Sequence, residues 1–235
     1  MMQRYYFLLE NMYRAMIIFW FTCLLGYPRT SAPEPNIRKE YPGAIIFDVT
    51  SKGALKTLSP FYPHGDIPVF GSDKEPKDGD PYLGSAEQRP FKYYSASVEG
   101  MWQGLKVFEH AGIDTSCFTN TTMRNLKRSC RRFGKCLGHM FWGKLIDYAT
   151  ARDSIYKPAY EYMLLWCCRE EIEYLIYLNE HNKTIVLLDY NTNCDINDLS
   201  SPLSHASLIK EYVESKILSE DFVFSQEWVD KHSVK

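Results

Sequence analysis

Two short apolar runs, far apart in the chain, constrain this sequence most. Residues 43–49 read Gly-Ala-Ile-Ile-Phe-Asp-Val and residues 184–190 read Thr-Ile-Val-Leu-Leu-Asp-Tyr. Both are rich in β-branched and aromatic residues, which favours buried strands. What lies between them reads mainly as helix. Spacing and breakers predict helices over about 97–112, 121–133 (stopped by Gly134) and 141–156, then one opened by Pro158 and running to about Asn179. A final amphipathic helix is expected from His205 to about Leu218. The predicted fold class is therefore mainly α with a small β-sheet, an α+β arrangement in a single domain.

The chain has 235 residues, 45% of them hydrophobic and 15% aromatic. That suits one domain, or one domain with an N-terminal appendage. The net charge of −2 argues against a protein that coats nucleic acid through phosphate charge alone, which needs a basic excess. A nucleic acid is expected only as the carrier of a modified base.

Residues 1–32 read as a leader. Ala15 to Leu25 is an uncharged apolar run preceded by Arg14. It has the length of a signal-peptide core and is too short to cross a bilayer. This predicts the secretory pathway or the extracellular space, with the cytoplasm as the alternative, and no stable membrane span. Residues 33–42, with their prolines, read as a linker, and residues 43–235 as the domain. Outside the leader stand six cysteines, an even number compatible with disulfides. No Cys-x-x-Cys or clustered histidine suggests a metal site, and neither a metal nor another cofactor is expected.

The segment from Ser97 to Phe108 carries most of the chemistry. On a helix, Glu99, Gln103 and Lys106 share one narrow arc, while Met101, Leu105 and Phe108 form the opposite apolar stripe. Gly100 and Gly104, four apart, each cost about 1 kcal/mol of helix propensity relative to Ala and leave room for a close neighbour. The polar arc fits either a solvated face or the wall of a cleft. Trp102 beside it offers a ring that can stack on a base or sugar. Asp189 closes the second apolar run, where sheet proteins often place an acid, with Asp195 as the alternative. His64, in the Pro-His-Gly turn, is a candidate contact for a leaving base or a histidine held by the backbone. Arg124, Lys127, Arg128, Arg131, Arg132 and Lys135 form a basic run, either a solvated face or a diphosphate cradle.

The order Leu58-Ser-Pro-Phe-Tyr-Pro63, then Ser97-Val-Glu-Gly-Met-Trp-Gln-Gly-Leu-Lys106, resembles the NADAR (YbiA-like) family. That family shows Leu-Ser-Asn-Phe-Tyr-Pro and then Thr-Val-Glu-His-Tyr-Phe-Gln-Ala-Gln-Lys. Ala151-Arg152-Asp153 through Met163 resembles its Arg-x-Asp-Trp helix, with Tyr156 as the stacking ring in place of the Trp. The family's Asp-x-x-Trp-Gly element has no counterpart. The resemblance implies a hydrolase that cleaves an N-glycosidic bond to ribose in a nucleotide-like or ADP-ribosylated small molecule. Glu99, Lys106 and Asp189 would be catalytic; His64, Trp102, Gln103, Arg152 and Tyr156 would bind substrate. The alternatives are a non-catalytic nucleotide- or ADP-ribose-binding module, which the missing element favours, and a secreted, disulfide-supported interaction protein.

Overall fold

The computed structural model describes residues 5–9, 37–71 and 93–235. The apolar run Ala15–Leu25 and the linker's first residues lie outside them.

Both apolar runs form strands and meet side by side. Strand β2 (Ile45–Asp48) runs parallel to β8 (Ile185–Asp189), pairing Ile45 with Ile185 and Asp48 with Leu188. On its other edge β8 pairs antiparallel with β1 (Tyr5–Leu9), within the span read as leader. Alternation along these strands serves two apolar layers. Phe47, Ile185 and Leu187 face the main core, whereas Ile46, Val186 and Leu188 form a smaller cluster. Ile37 of helix α1 (Ile37–Glu40) and Val234 near the C-terminus pack on that cluster.

Two further small sheets frame the middle of the chain. Strand β3 (Ile67–Pro68) pairs with β4 (Tyr94–Ser95). Helix α2 (Val98–Leu105) follows, and then β5 (Lys106–Phe108), β6 (Cys136–Phe141) and β7 (Lys144–Ile146) form an antiparallel meander. The remaining helices are α3 (Cys130–Phe133), α4 (Tyr148–Ala151), α5 (Lys157–Trp166), α6 (Arg169–Glu180), α7 (His205–Glu214) and α8 (Gln226–His232). The mixed α+β class expected from sequence is the class observed.

Several element boundaries differ from expectation. Only Cys130–Phe133 of the helix expected over 121–133 forms. The Asn120 side chain accepts from Thr122 N and donates to Arg124 O, so a local turn competes with the helix ladder. Met123 and Asn125, at φ 58° and 56°, break the helical path outright. Residues 141–146 are hairpin rather than helix. Phe141 pairs with Lys144, and the two turn residues Trp142 and Gly143 both have positive φ, the backbone of a tight hairpin turn. The segment expected as one helix to Asn179 is two, broken at Cys167-Cys168. Between α4 and α5, residues Arg152–Tyr156 widen into a π-helical turn, a local feature often found where a helix serves a site.

Candidate active site

Helix α2 begins where the sequence places its cap: Ser97 Oγ accepts from Gly100 N at 3.0 Å. All eight of its residues are buried, Glu99 and Gln103 included. The polar arc is therefore an interior surface, not a solvated one. The glycines explain how neighbours come so close. A Cβ on Gly100 would stand 2.6 Å from the Cys117 carbonyl, and one on Gly104 would stand 2.3 Å from the Phe118 ring.

The helix ends earlier than its pattern suggests. Lys106 is extended (φ −60°, ψ 136°) and opens β5, because Lys-Val-Phe joins the ladder with β6. Lys106 thus leaves the arc predicted with Glu99 and Gln103, although its amine still feels the Glu99 charge. Its Nζ lies 5.8 Å from the centre of the Trp102 ring and 5.7 Å from that of Tyr148. Burial lowers its proton affinity below the ordinary lysine range, only partly offset by the Glu99 charge.

Around Glu99 the hydrogen bonds are few and directed. Gln103 Nε2 donates to Glu99 Oε1 at 2.7 Å, and Gln103 Oε1 accepts from Arg128 N at 3.0 Å. Glu99 Oε2 has no hydrogen-bond partner among the described residues. The Leu58–Pro63 segment lies at the start of the same helix, where Glu99 N donates to Pro60 O at 2.8 Å. The two segments that carry the resemblance are thus in contact.

An aromatic wall backs this pair. Trp102 stacks on His139 at 3.7 Å and meets Tyr148 and Tyr156 edge-on, each at 5.2 Å. Trp102 is only 5% exposed; it is packed as wall, with His139 already against its ring. Tyr156 is also buried, and its hydroxyl proton is held well above the usual tyrosine range by burial, reinforced by the charges of Glu99 and Asp189. His139 was not picked out in the sequence. It stands on the rung of β6 opposite Lys106, fully buried, with neither ring nitrogen hydrogen-bonded among the described residues. Burial, and then the Lys106 charge, push its pKa down to about 3, so the ring is neutral.

The other predicted site residues lie elsewhere or serve the scaffold. Arg152 is buried with its guanidinium on the carbonyls of Ile196 (3.0 Å), Asp198 (2.7 Å) and Ser201 (2.6 Å), and it lies over the Tyr148 ring. It therefore pins the 191–203 loop to the wall of the site. Asp189 caps α7: its Oδ2 accepts from Ser204 Oγ at 2.8 Å and Ala206 N at 3.1 Å, and its Oδ1 from Tyr190 N at 2.7 Å. Its alternative, Asp195, is exposed and offers its carboxylate to Asn197 N within the loop. His64 has Nε2 2.8 Å from Thr57 O and 3.4 Å from Cys168 Sγ. The Thr57 carbonyl is the backbone partner that the second of its two readings expected.

All six cysteines from Cys117 to Cys194 are free. Among the described residues, no helix is long and apolar enough to cross a membrane, and no group of three or more His, Cys, Asp or Glu could hold a metal ion.

The sequence profile of a family described as "Family of unknown function (DUF6939)" matches residues 29–78 and 89–209. That span takes in Glu99, Lys106, His139, Arg152 and Asp189, and leaves α8 outside. No curated protein and no solved structure matches the chain.

Proposed function

From the premise that this chain belongs to the DUF6939 family, we propose that it is a hydrolase of N-glycosidic bonds to ribose, acting on a nucleotide-like or ADP-ribosylated substrate. The observation that carries this reading is the Glu99–Lys106 pair. A buried carboxylate has one oxygen fixed by Gln103 and the other uncommitted, and its charge acts on an amine whose proton affinity burial has lowered. Breaking a ribosyl C–N bond develops positive charge on the sugar. The free Oε2 of Glu99 suits either stabilising that charge or taking a proton from the attacking water. In the overall reaction the C1–N bond breaks, water supplies hydroxyl to C1, and its proton goes to the departing nitrogen, or to solvent where that nitrogen leaves already neutral, as from the pyridinium of NAD. Lys106 suits a phosphate contact while protonated, or addition to an opened ribose aldehyde while neutral.

A second reading, a ligand-binding module without turnover, draws on the Asp189 carboxylate being engaged at the α7 cap. One experiment separates the two. Purified full chain is incubated with NAD, ADP-ribosylated guanosine and phosphorylated ribosylamines, and the released base is followed by chromatography. The enzyme reading expects base release from at least one of them, reduced about 100-fold or more in Glu99→Gln. Binding without release from any of them would leave the module reading.

A further inference from the structure

We propose that Arg128 is a positioning residue for Glu99, acting through the Gln103 amide and the backbone that carries Lys106; this rests on the ribosidase reading above. A carboxamide is almost symmetric in shape, so its orientation is set by its partners. Arg128 N–H can only donate, and it faces Gln103 Oε1 at 3.0 Å. The amide nitrogen is thereby turned toward Glu99 Oε1, which leaves Oε2 as the uncommitted oxygen.

The Arg128 side chain fixes the same stretch from outside. Its Nη1 donates to Lys106 O at 2.7 Å and Gln103 O at 3.3 Å, and its Nη2 to Gly112 O at 2.7 Å. Two of these carbonyls belong to the last turn of α2, where Gln103 O also accepts from Lys106 N, and to the residue that follows it, an end of the helix where positive charge is favoured. The guanidinium also lies 5.0 Å from the Phe108 ring centre and 5.1 Å from that of Phe133. Its side chain is 6% exposed, unlike the exposed Arg131 and Arg132 of the same basic run. Arg128 is thus neither part of a solvated face nor available as a phosphate cradle. Lysine has no planar fork with which to reach three carbonyls at once.

The test is nuclear magnetic resonance on the full chain, with activity as a second arm. In wild type, the Gln103 side-chain amide protons give separate, slowly exchanging resonances. In Arg128→Met they exchange at least tenfold faster and the Glu99 side-chain carboxyl carbon resonance moves, while the resonances of β2 and β8 stay in place. Should Arg128→Met fail to fold, Arg128→Lys is expected to speed exchange at least threefold. An unchanged Gln103 amide in either folded variant overturns the proposal. Where base release is measurable, Arg128→Met lowers kcat by about 10–100-fold with KM little changed, since small misplacements of a reacting group are costly; Lys231→Met, exposed on α8, changes neither. A displaced Gln103 with unaltered kcat also overturns it. If wild type releases no base, the ribosidase reading is what fails, and the Glu99 carbon resonance alone decides whether Arg128 orients that carboxylate.

Discussion

Gln103 donates its side-chain amide to Glu99 Oε1 at 2.7 Å from one helical turn further along α2. This contact makes an inward-facing carboxylate tolerable in a helix buried on every side. Hydrogen bonds to charged groups contribute about 1.5–3 kcal/mol. Gln103→Ala is therefore expected to destabilise the fold by about 2 kcal/mol, read as a lower urea midpoint at unchanged slope. Gln103→Ala and Glu99→Ala combined should cost less than the sum of the two single changes, because the single change at Gln103 strands the carboxylate.

The neutral imidazole of His139 makes stability depend on acid. Its pKa is 6.5 in an ordinary setting and about 3 here. Between those values the unfolded chain binds a proton that the folded chain refuses. Stability therefore rises with pH across that window and falls as pH drops from 6.5 toward 3, by an amount on the order of 3–5 kcal/mol over the whole range. His139→Phe keeps an aromatic ring against Trp102 and removes two unpaired nitrogens. Thermal melts at stepped pH should show a flatter acid limb in that variant, and an unchanged limb would assign the acid sensitivity to other groups.

The approach of Phe118 to Gly104 gives a packing test. A methyl group at Gly104 would meet the Phe118 ring at 2.3 Å, whereas nothing lies within 4 Å of one at Gly112. Gly104→Ala should cost about 1–3 kcal/mol through overpacking. Gly112→Ala should change stability by less than about 0.5 kcal/mol. Chemical denaturation of the two variants side by side checks both figures.

Lys106 should show its lowered proton affinity directly. Its amine loses a proton below the ordinary lysine range because burial disfavours the charged form. Reductive methylation followed by peptide mass spectrometry, stepped from pH 6 to 10, should label Lys106 with a midpoint below that range. Glu99→Gln should lower that midpoint further, since the Glu99 charge opposes the effect of burial. A midpoint in the ordinary range would remove the case for a neutral amine.

The parts of this molecule written in continuous local pattern were legible in the sequence. Strands β2 and β8 are short apolar runs, Ser97 is a cap, and Gly100 and Gly104 announce the close approach of Phe118 and Cys117. The end of α2 was not legible. The apolar spacing runs on through Leu105 and Phe108, and only pairing with β6, some thirty residues away, makes Lys106 extended. The β6–β7 hairpin stayed hidden because its strands are only half-covered and alternate weakly. The one local sign was Gly143 at the second position of a two-residue turn. Missing the hairpin meant missing His139. Asp189 stood out as a candidate site acid at the end of an apolar strand, but its work at the α7 cap depends on Ser204 and Ala206 folding back onto it.

The proposed function requires that α2 and the start of β5 line a site for ribosyl nucleotides. Calorimetric titration of ADP-ribose into the full chain, with Lys106→Ala and Glu99→Ala alongside, tests it most directly. Micromolar binding to wild type, weakened at least tenfold by Lys106→Ala, is the predicted result. No heat of binding with a folded wild-type protein, or binding untouched by both substitutions, would contradict it.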